Sequence, residues 1–392
     1  MKKFIFFSTI LSIFTESLRF NFFGFEFKIF YFVIILNLII LTYFNKVKFS
    51  KGFLIFICLI IISGLTTVIF GYNKLDYFLI QLFFLFLIPI YYNSYFNYTS
   101  TNFKDIVTIY CKLSFYLAII GFVKLPFDLA IGRSLESIML EPAHYCTIIL
   151  PAYFITLKDK NYPRYYFIII LLSIIISGSS LGLISLGLSF ILNIKKISLA
   201  NIFYIITTLT ILSFITYKVF PPFKLRLDDT VSSIKSRDLS KANLSTYALL
   251  SNYFVSINSI TDKPLLGNGI GSHAISRKKY LKTIKGIQTF EKIGMRNINE
   301  KDAGSLFIRI ISELGIVGII CTFFFIFKFY VGNSGNKFTF NSVVSKAILL
   351  YFFCKLFREG HYFSPEMYFF VFLYVFNKYN SYKSKNLKLQ YA

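Results

Sequence analysis

The sequence predicts an all-α, polytopic integral membrane protein with about twelve transmembrane helices and one large external loop. Three observations predict this fold class. The composition is 56% hydrophobic and 20% aromatic with a mean hydropathy of +0.64, apolar runs of about 17 to 25 residues recur along the chain, and lysines collect in every second short connection. A soluble protein does not need this much apolar side chain for its core. A soluble enzyme is therefore excluded.

Each apolar run is long enough to cross roughly 30 Å of hydrocarbon as a helix. The seventh and eighth runs meet at "SGSSLG", where Gly178 and Gly182 either break one helix or form a turn between two. The predicted spans are residues 4–20, 27–44, 52–70, 75–92, 106–124, 138–157, 165–179, 180–194, 199–219, 305–328, 341–357 and 363–377.

The lysines indicate the orientation, because basic residues close to the ends of spans are retained on the cytoplasmic side. Twelve spans with both termini in the cytoplasm satisfy this rule, from Lys2 at the start to Lys388 in the tail. The formal charge of +24 comes largely from these connections. Anionic lipid headgroups are therefore the expected partner, and nucleic acid is not. The five cysteines and three histidines form no metal-binding motif, so no metal and no cofactor is predicted.

The chain divides into three regions. Residues 1–218 hold about nine membrane helices, residues 219–304 form the large external loop, and residues 305–392 hold three more spans and a cytoplasmic tail. Within the loop, "LSTYALLSNYFVSINSI" has the periodicity of an amphipathic helix that ends before Pro264. The basic run "SRKKYLKTIK" follows, and it is either a solvated face or a surface that attracts an anionic ligand.

Charged residues inside or beside the spans are the candidates for chemistry, since a charge near the bilayer centre costs several kcal/mol. "LEPAHYCTIIL" places Glu141 at the start of the sixth span with Arg133 shortly before it. A carboxylate buried at that position can take a proton from a sugar hydroxyl. The alternative is a helix-capping Glu141 that pairs with Arg133.

Two further stretches deliver charges to the same side of the membrane. In "SLFIRIISELGIVGII", Arg309 and Glu313 lie four residues apart and either neutralise each other or leave Arg309 to contact a phosphate. In "KLFREGHYFSPE", Arg358, His361 and Tyr362 follow the eleventh span. Convergence of cations and carboxylates on one side favours a site over a purely structural network.

These segments, in this order, resemble the Wzy-type O-antigen polymerases within the O-antigen ligase and polymerase family. The resemblance runs from about Arg133 to Tyr362. It consists of an "EP" at the outer end of a span, the "SGSSLG" span, and a large external loop with Arg237 upstream of a helix that ends in "PLLGNGIG". An "ELGIVG" span and a late "RxGHY" complete it.

The resemblance implies a GT-C-like fold and a location in the bacterial cytoplasmic membrane. It also implies an activity, the transfer of a growing glycan from undecaprenyl pyrophosphate to a sugar hydroxyl of a new carrier-linked repeat unit at the outer face. The donor and acceptor would be the partners, and a chain-length regulator protein is left open. The site residues expected on this basis are Glu141 and His361 for catalysis, and Arg133, Arg237, Arg309, Arg358 and Tyr362 for substrate binding.

Two other functions stay open from the sequence. The ligases of the same family typically carry a His-Asn pair where this chain reads "KDAGS", which favours a polymerase. A flippase for lipid-linked sugars also suits twelve spans, but transporters usually show repeated halves with interrupted helices at the midplane. The repeat-unit sugars, and the choice between O-antigen and capsule, are not encoded in any motif.

Overall fold

The computed structural model describes residues 1–22, 25–49, 51–193, 221–335 and 337–390, together with single positions 207, 210, 214, 217 and 218. The chain is predominantly helical in these residues. In chain order its elements are α1 (Lys2–Ser12), β1 (Arg19–Phe22), β2 (Phe25–Lys28), α2 (Ile29–Tyr43), α3 (Lys51–Ile69), α4 (Leu75–Thr99), α5 (Phe103–Ala130), α6 (Pro142–Lys158), α7 (Arg164–Ile176), α8 (Ser180–Leu192), α9 (Pro221–Ser236), α10 (Leu244–Asp262), α11 (His273–Tyr280), α12 (Ile287–Lys292), α13 (Leu306–Phe329), α14 (Phe340–Phe357) and α15 (Met367–Gln390).

The helical prediction is confirmed, and the membrane prediction is confirmed in part. Within the described residues, four helical stretches are long and apolar enough to cross a membrane, as judged by length and composition: Gly52–Ile69, Leu75–Ala130, Leu306–Phe329 and Phe340–Phe357. The helices α2, α7 and α8 are apolar but shorter. The predicted ninth span, residues 199–219, lies outside the described residues apart from single positions.

The first predicted span, residues 4–20, is wrong in its length. Helix α1 ends at Ser12, and an antiparallel pair of strands follows, in which Arg19 is paired with Lys28 and Phe22 with Phe25. The reason is the period of the sequence. "RFNF" and "FEFK" each alternate aromatic and polar residues, which is typical of strands, and Arg19 and Phe20 at the end of the predicted span belong to the first of them. At the other uncertain position, α7 and α8 are two separate helices, and Gly178 lies between them with φ +63°.

Helix α6 is at the centre of the helical body formed by α1–α8 and α13–α15. It packs against α5, α7, α8 and α14, and twelve consecutive residues, from Tyr145 to Thr156, are buried. Aromatic rings fill the neighbouring space between α4 and α15, where Phe96 stacks on Phe376. Because α6 and α14 are packed together, the start of α6 lies close to the end of α14. This proximity positions the site described below.

The segment from α9 to α12, residues 221–305, has a small core of its own. Asn243 caps α10 by accepting a hydrogen bond from the backbone of Thr246, which is a favoured N-cap arrangement. Tyr247 of α10 stacks on Phe290 of α12 with ring centroids 3.7 Å apart. The sequence predicted a helix that ends before Pro264; α10 ends at Asp262, and it packs against α13 and α11.

The "PLLGNGIG" and "ELGIVG" motifs pack against each other. Helix α13 is interrupted at Gly315, whose φ of 60° and ψ of −153° are not helical. The interruption exposes backbone groups, and the loop that follows α10 bonds to them on both sides. Ile316 N–H donates to the carbonyl of Pro264 at 2.9 Å, and Gly269 N–H donates to the carbonyl of Glu313 at 2.9 Å. A Cβ at position 315 would lie 2.6 Å from the Leu265 carbonyl oxygen, so this close approach requires glycine.

Candidate functional site

Glu141 and Arg358 meet at one end of the helical body. Pro142 begins α6, and the preceding Glu141 is its N-cap residue in extended conformation, but the Glu141 side chain makes no capping hydrogen bond. Its carboxylate is instead 52% exposed and lies 3.9 Å from Nη2 of Arg358, which follows α14 and is 29% exposed. The sequence predicted this proximity. It did not predict the exposure, since a buried carboxylate was expected.

Arg133 is not the partner of Glu141. Its Nη1 donates to Oε1 of Glu136 at 3.2 Å, and Lys124 approaches the same carboxylate at 3.6 Å. The alternative interpretation of Glu141, a cap paired with Arg133, is therefore wrong. The physical reason is distance along the chain, because Glu136 is only three residues from Arg133 and reaches it without a helix between them.

His361 joins the α14–α15 connection to the end of the α9–α12 segment. Its Nε2 lies 3.0 Å from Oδ2 of Asp302, and the backbone N–H of Glu359 donates to the Gly304 carbonyl at 3.0 Å. Burial opposes ionisation of Asp302, but the hydrogen bond and charge of His361 outweigh it and lower the pKa of Asp302 to about 2. Gly360 fits against the Asp302 carbonyl so closely that a Cβ there would lie 1.5 Å from its oxygen.

Arg309 and Tyr362 are buried below this connection. The Arg309 guanidinium donates from Nε to Glu313 at 3.0 Å, from Nη1 to the Gly360 carbonyl at 3.0 Å, and from Nη2 to Gln81 at 3.2 Å. It also lies over the Tyr362 ring, 4.1 Å from the centroid. With its side chain only 5% exposed, Arg309 is held in a structural network. Its pairing with Glu313, one of the two interpretations from the sequence, is confirmed.

Buried hydrogen bonds continue from Glu313 into the α9–α12 segment. The backbone N–H of His273 donates to Glu313 Oε1 at 3.2 Å, and His273 Nε2 lies 3.0 Å from Oδ1 of Asn252. Arg277 Nη1 donates to the same Asn252 oxygen at 2.6 Å. These five residues, Arg309, Glu313, His273, Asn252 and Arg277, are called the polar ladder below. Burial, together with the charges of Arg309 and Arg277, lowers the pKa of His273 to about 3.

The basic run in this segment is divided between the ladder and the surface. Arg277 faces inward, whereas Lys278 and Lys279 are exposed and each approaches one carboxylate, Glu300 at 3.6 Å and Asp262 at 2.8 Å. Arg237 is also exposed, with φ +51° just after α9. Among the described residues no contact joins Arg237 to the other predicted site residues, and its substrate-binding role stays a prediction.

The sequence analysis missed a buried group of charges beside the Glu141–Arg358 pair. Glu16, His144 and Glu359 each place one potential ligand atom within 4.8 Å of the other two. They are called the acid–histidine cluster below. His144 lies one helical turn after Glu141, and Glu359 follows Arg358 directly. A carboxylate inside a predicted span, Glu16, was the available signal.

A buried lysine lies next to this cluster. Lys355 Nζ lies 2.5 Å from Glu359 and 3.4 Å from Glu366, and it donates to the Ser364 hydroxyl at 2.6 Å. Ser364 in turn donates to Glu366 at 2.6 Å, so this part of the network is closed by hydrogen bonds. Charged side chains from the segment after α1, from α6, from α14 and from the α14–α15 connection thus converge at one end of the body.

The arrangement places an exposed carboxylate and a partly exposed guanidinium above a buried network of ion pairs and hydrogen bonds. A carboxylate can accept a proton from a hydroxyl, and a guanidinium can contact phosphate oxygens with its planar fork. Both therefore have the chemistry that transfer from a lipid pyrophosphate needs. No protein-family model and no curated protein matches this chain, so the family resemblance stays a prediction from the sequence motifs.

Proposed function

We propose that this protein is a membrane glycosyltransferase that polymerises undecaprenyl-pyrophosphate-linked repeat units into a surface polysaccharide, O-antigen or capsule. The observation that carries the proposal is the Glu141–Arg358 pair. Two residues from separate helices, placed far apart in the sequence, lie 3.9 Å apart and both remain accessible. The apolar helices support a location in a membrane, and the basic connections favour the bacterial cytoplasmic membrane with both termini in the cytoplasm.

Glu141 acts as the base in this proposal. The acceptor hydroxyl gives its proton to the Glu141 carboxylate while its oxygen forms the new glycosidic bond to the anomeric carbon of the donor glycan. The bond from that carbon to the pyrophosphate oxygen breaks, and the electron pair leaves with the carrier pyrophosphate. Substrate bound over the half-exposed carboxylate excludes water from it and strengthens its interactions.

Arg358 contacts the departing pyrophosphate. Negative charge grows on the leaving group as the glycosidic bond breaks, and a positioned cation stabilises that charge. Among the described residues, the Arg358 guanidinium has one ion-pair partner, Glu141 at 3.9 Å, so it can turn to a ligand. Arg309 cannot do this, because its guanidinium bonds to three groups that hold the fold.

The other residues expected in the site differ in their exposure and in their partners. His361 is 53% exposed and follows Arg358 by three residues, and Asp302 fixes its orientation. Tyr362 is buried beneath Arg309 and supports the connection that carries Arg358. Arg133 is accessible but paired with Glu136. We therefore place His361 with the reacting groups and Tyr362 with the positioning residues.

The test uses a strain that lacks the gene, complemented with wild type, Glu141→Gln or Arg358→Gln. Surface polysaccharide is separated on a gel, and each variant is checked for abundance in the membrane. Glu300→Gln is the matched control, since the Glu300 carboxylate also lies at long range from a cation, Lys278 at 3.6 Å. We expect wild type and Glu300→Gln to restore the ladder of long chains, and Glu141→Gln and Arg358→Gln to leave lipid A core with a single repeat unit.

Other outcomes would replace the proposal. If the deletion strain carries no repeat unit at its surface but accumulates long carrier-linked polymer outside, the protein is a ligase. If repeat units accumulate on the cytoplasmic side, it is a flippase. If Glu141→Gln restores the full ladder at wild-type abundance, Glu141 is not the base.

A further inference from the structure

The acid–histidine cluster is built from three widely separated parts of the chain. Glu16 follows α1, His144 lies in the first turn of α6, and Glu359 lies between α14 and α15. His144 Nδ1 is 2.8 Å from Glu16 Oε1, and all three ligand atoms lie within 4.8 Å of one another. Ligands on opposite sides of a metal ion at about 2.1 Å from each would be about 4.2 Å apart. Small side-chain rotations therefore bring all three to one ion.

The charges in this region do not balance. Glu16, Glu359 and Glu366 are buried carboxylates, and Lys355 is the buried cation among them, bonded to both Glu359 and Glu366. Even with a protonated His144, three negative charges face two positive charges. Lys28 adds only a weaker influence on Glu16. Uncompensated charge in a buried site costs several kcal/mol per ion, so the arrangement favours a further cation.

An unpartnered atom points to the same conclusion. Glu16 is 4% exposed, its Oε1 meets His144, and its Oε2 has no hydrogen-bond partner among the residues that the structure describes. Buried carboxylate oxygens are normally bonded to a donor or to a metal ion. This atom belongs to the same carboxylate that lies beside His144 and Glu359, so one ligand would satisfy the oxygen and neutralise the charge together.

We propose that Glu16, His144 and Glu359 bind one divalent first-row transition-metal cation, such as Mn²⁺ or Zn²⁺. One imidazole nitrogen and two carboxylates form a donor set typical of these ions. Binding replaces the proton shared between His144 and Glu16. Lys355 stays on Glu359 and Glu366 and orients the Glu359 carboxylate, as hydrogen-bonded groups around metal ligands commonly do.

The proposed metal site is an inference additional to the proposed glycan transfer and does not depend on it. An ion there would tie the end of α1 to α6 and to the α14–α15 connection, next to the Glu141–Arg358 pair. It would therefore hold in place the connection that carries Arg358. Metal binding can be measured without any activity, so the two proposals fail separately.

The test measures bound metal on the full chain purified in detergent. The protein is stripped with a chelator, incubated with Mn²⁺ or Zn²⁺ alone, and passed over a desalting column, and the metal content is measured by mass spectrometry. We expect about one ion per chain for wild type, and at least a tenfold reduction for Glu16→Gln and for His144→Gln. His361→Gln is the matched control and keeps the ion, because His361 pairs with Asp302 outside the cluster.

A second measurement uses the wild-type protein, so it tests the site even if the variants fail to fold. Mn²⁺ is titrated into wild type at pH 7.5 and at pH 5.5 and followed by electron paramagnetic resonance. Stoichiometric binding that weakens at least tenfold at the lower pH supports the site, because protons compete for its ligands. Absence of stoichiometric binding by wild type at pH 7.5 overturns the proposal, as does full retention of the ion by a folded Glu16→Gln or His144→Gln.

Discussion

The polar ladder and the Glu141–Arg358 pair use the same kinds of side chain for opposite purposes. In the ladder, Arg309 is buried and bonded to a carboxylate, a backbone carbonyl and an amide oxygen. In the pair, Arg358 approaches a single carboxylate at 3.9 Å and both side chains are accessible. The difference teaches that a charged residue beside an apolar helix is not by itself a functional group. What decides its role is whether other groups already use its hydrogen-bonding capacity.

The two regions also differ in how much a substitution within them should reduce the free energy of unfolding. A buried ion pair that loses one partner leaves the other charge without solvent or counter-ion, whereas an exposed pair exchanges its partner for water. Substitutions in the polar ladder should therefore lower the stability of the protein. Substitutions in the Glu141–Arg358 pair should instead reduce the proposed glycan transfer. The following predictions test this contrast from the largest expected effect on stability to the smallest.

Arg309→Leu should destabilise the protein most. It leaves Glu313 buried with the backbone N–H of His273 as its hydrogen-bond donor, and removal of one partner of a buried pair costs about 3 to 5 kcal/mol. The measurement is thermal unfolding in detergent together with protease sensitivity of residues 221–305. Replacing both partners, Arg309→Leu with Glu313→Leu, is the control. The double variant should recover part of the loss, and a double variant that is less stable than Arg309→Leu would contradict this account.

Gly315→Ala should separate the loop after α10 from α13. The added Cβ meets the Leu265 and Pro264 carbonyl oxygens at 2.6 and 2.7 Å, in a backbone conformation that residues with side chains rarely adopt. We expect a loss of about 2 to 4 kcal/mol from strain and from displaced backbone hydrogen bonds. Amide hydrogen exchange at residues 264–269 measures it. Gly332→Ala is the matched control, since a Cβ there meets only an ordinary contact at 3.7 Å, and equal exchange in both variants would refute the prediction.

His273 should make the ladder sensitive to acid. The pKa of His273 is lowered to about 3 in the folded protein, while an unfolded histidine titrates near 6.5. The unfolded chain therefore binds the proton first as pH falls. The contribution of His273 to stability is complete above about pH 6.5 and is lost between there and pH 3, at about 1.4 kcal/mol per pH unit.

The measurement for His273 is the melting temperature between pH 7.5 and 5.0. His273→Gln should lower stability at pH 7.5, because it disturbs the bonds to Asn252 and Ser312, but it should flatten the slope below pH 6.5. A slope that persists unchanged in His273→Gln would show that another group controls the acid response.

Hydropathy predicted the long helices because their physical cause is local. The spans expected at 52–70, 305–328 and 341–357 became helices within one residue of those bounds, Lys51–Ile69, Leu306–Phe329 and Phe340–Phe357. The same average failed at residues 4–20. The last residues of that span belong to "RFNF", whose alternation predicts a strand, and a window that sums hydropathy does not register a period of two.

The sequence predicted those site residues that lie at the ends of predicted spans on the same side of the membrane. It did not predict contacts that depend on how separate segments pack together. Glu141 and Arg358 were expected at the same level, and they lie close together. Arg133 pairs with Glu136 and not with Glu141, because Glu136 is only three residues away along the chain. The acid–histidine cluster required the packing of α1, α6 and the α14–α15 connection, which no spacing within one segment encodes.

Arg358→Gln should have the smallest effect on stability, and this sharpens the comparison most. An exposed ion pair contributes about 0 to 1 kcal/mol, and the separation of 3.9 Å in the Glu141–Arg358 pair is at the long end of such contacts. A double-mutant cycle on thermal unfolding, with Glu141→Gln, Arg358→Gln and both together, should therefore give a coupling energy below about 1 kcal/mol. A coupling of about 2 kcal/mol or more would place the pair with the ladder as a structural element. A small coupling joined to loss of polymer in each single variant assigns the pair to chemistry, because structure alone would then not explain why both residues are required.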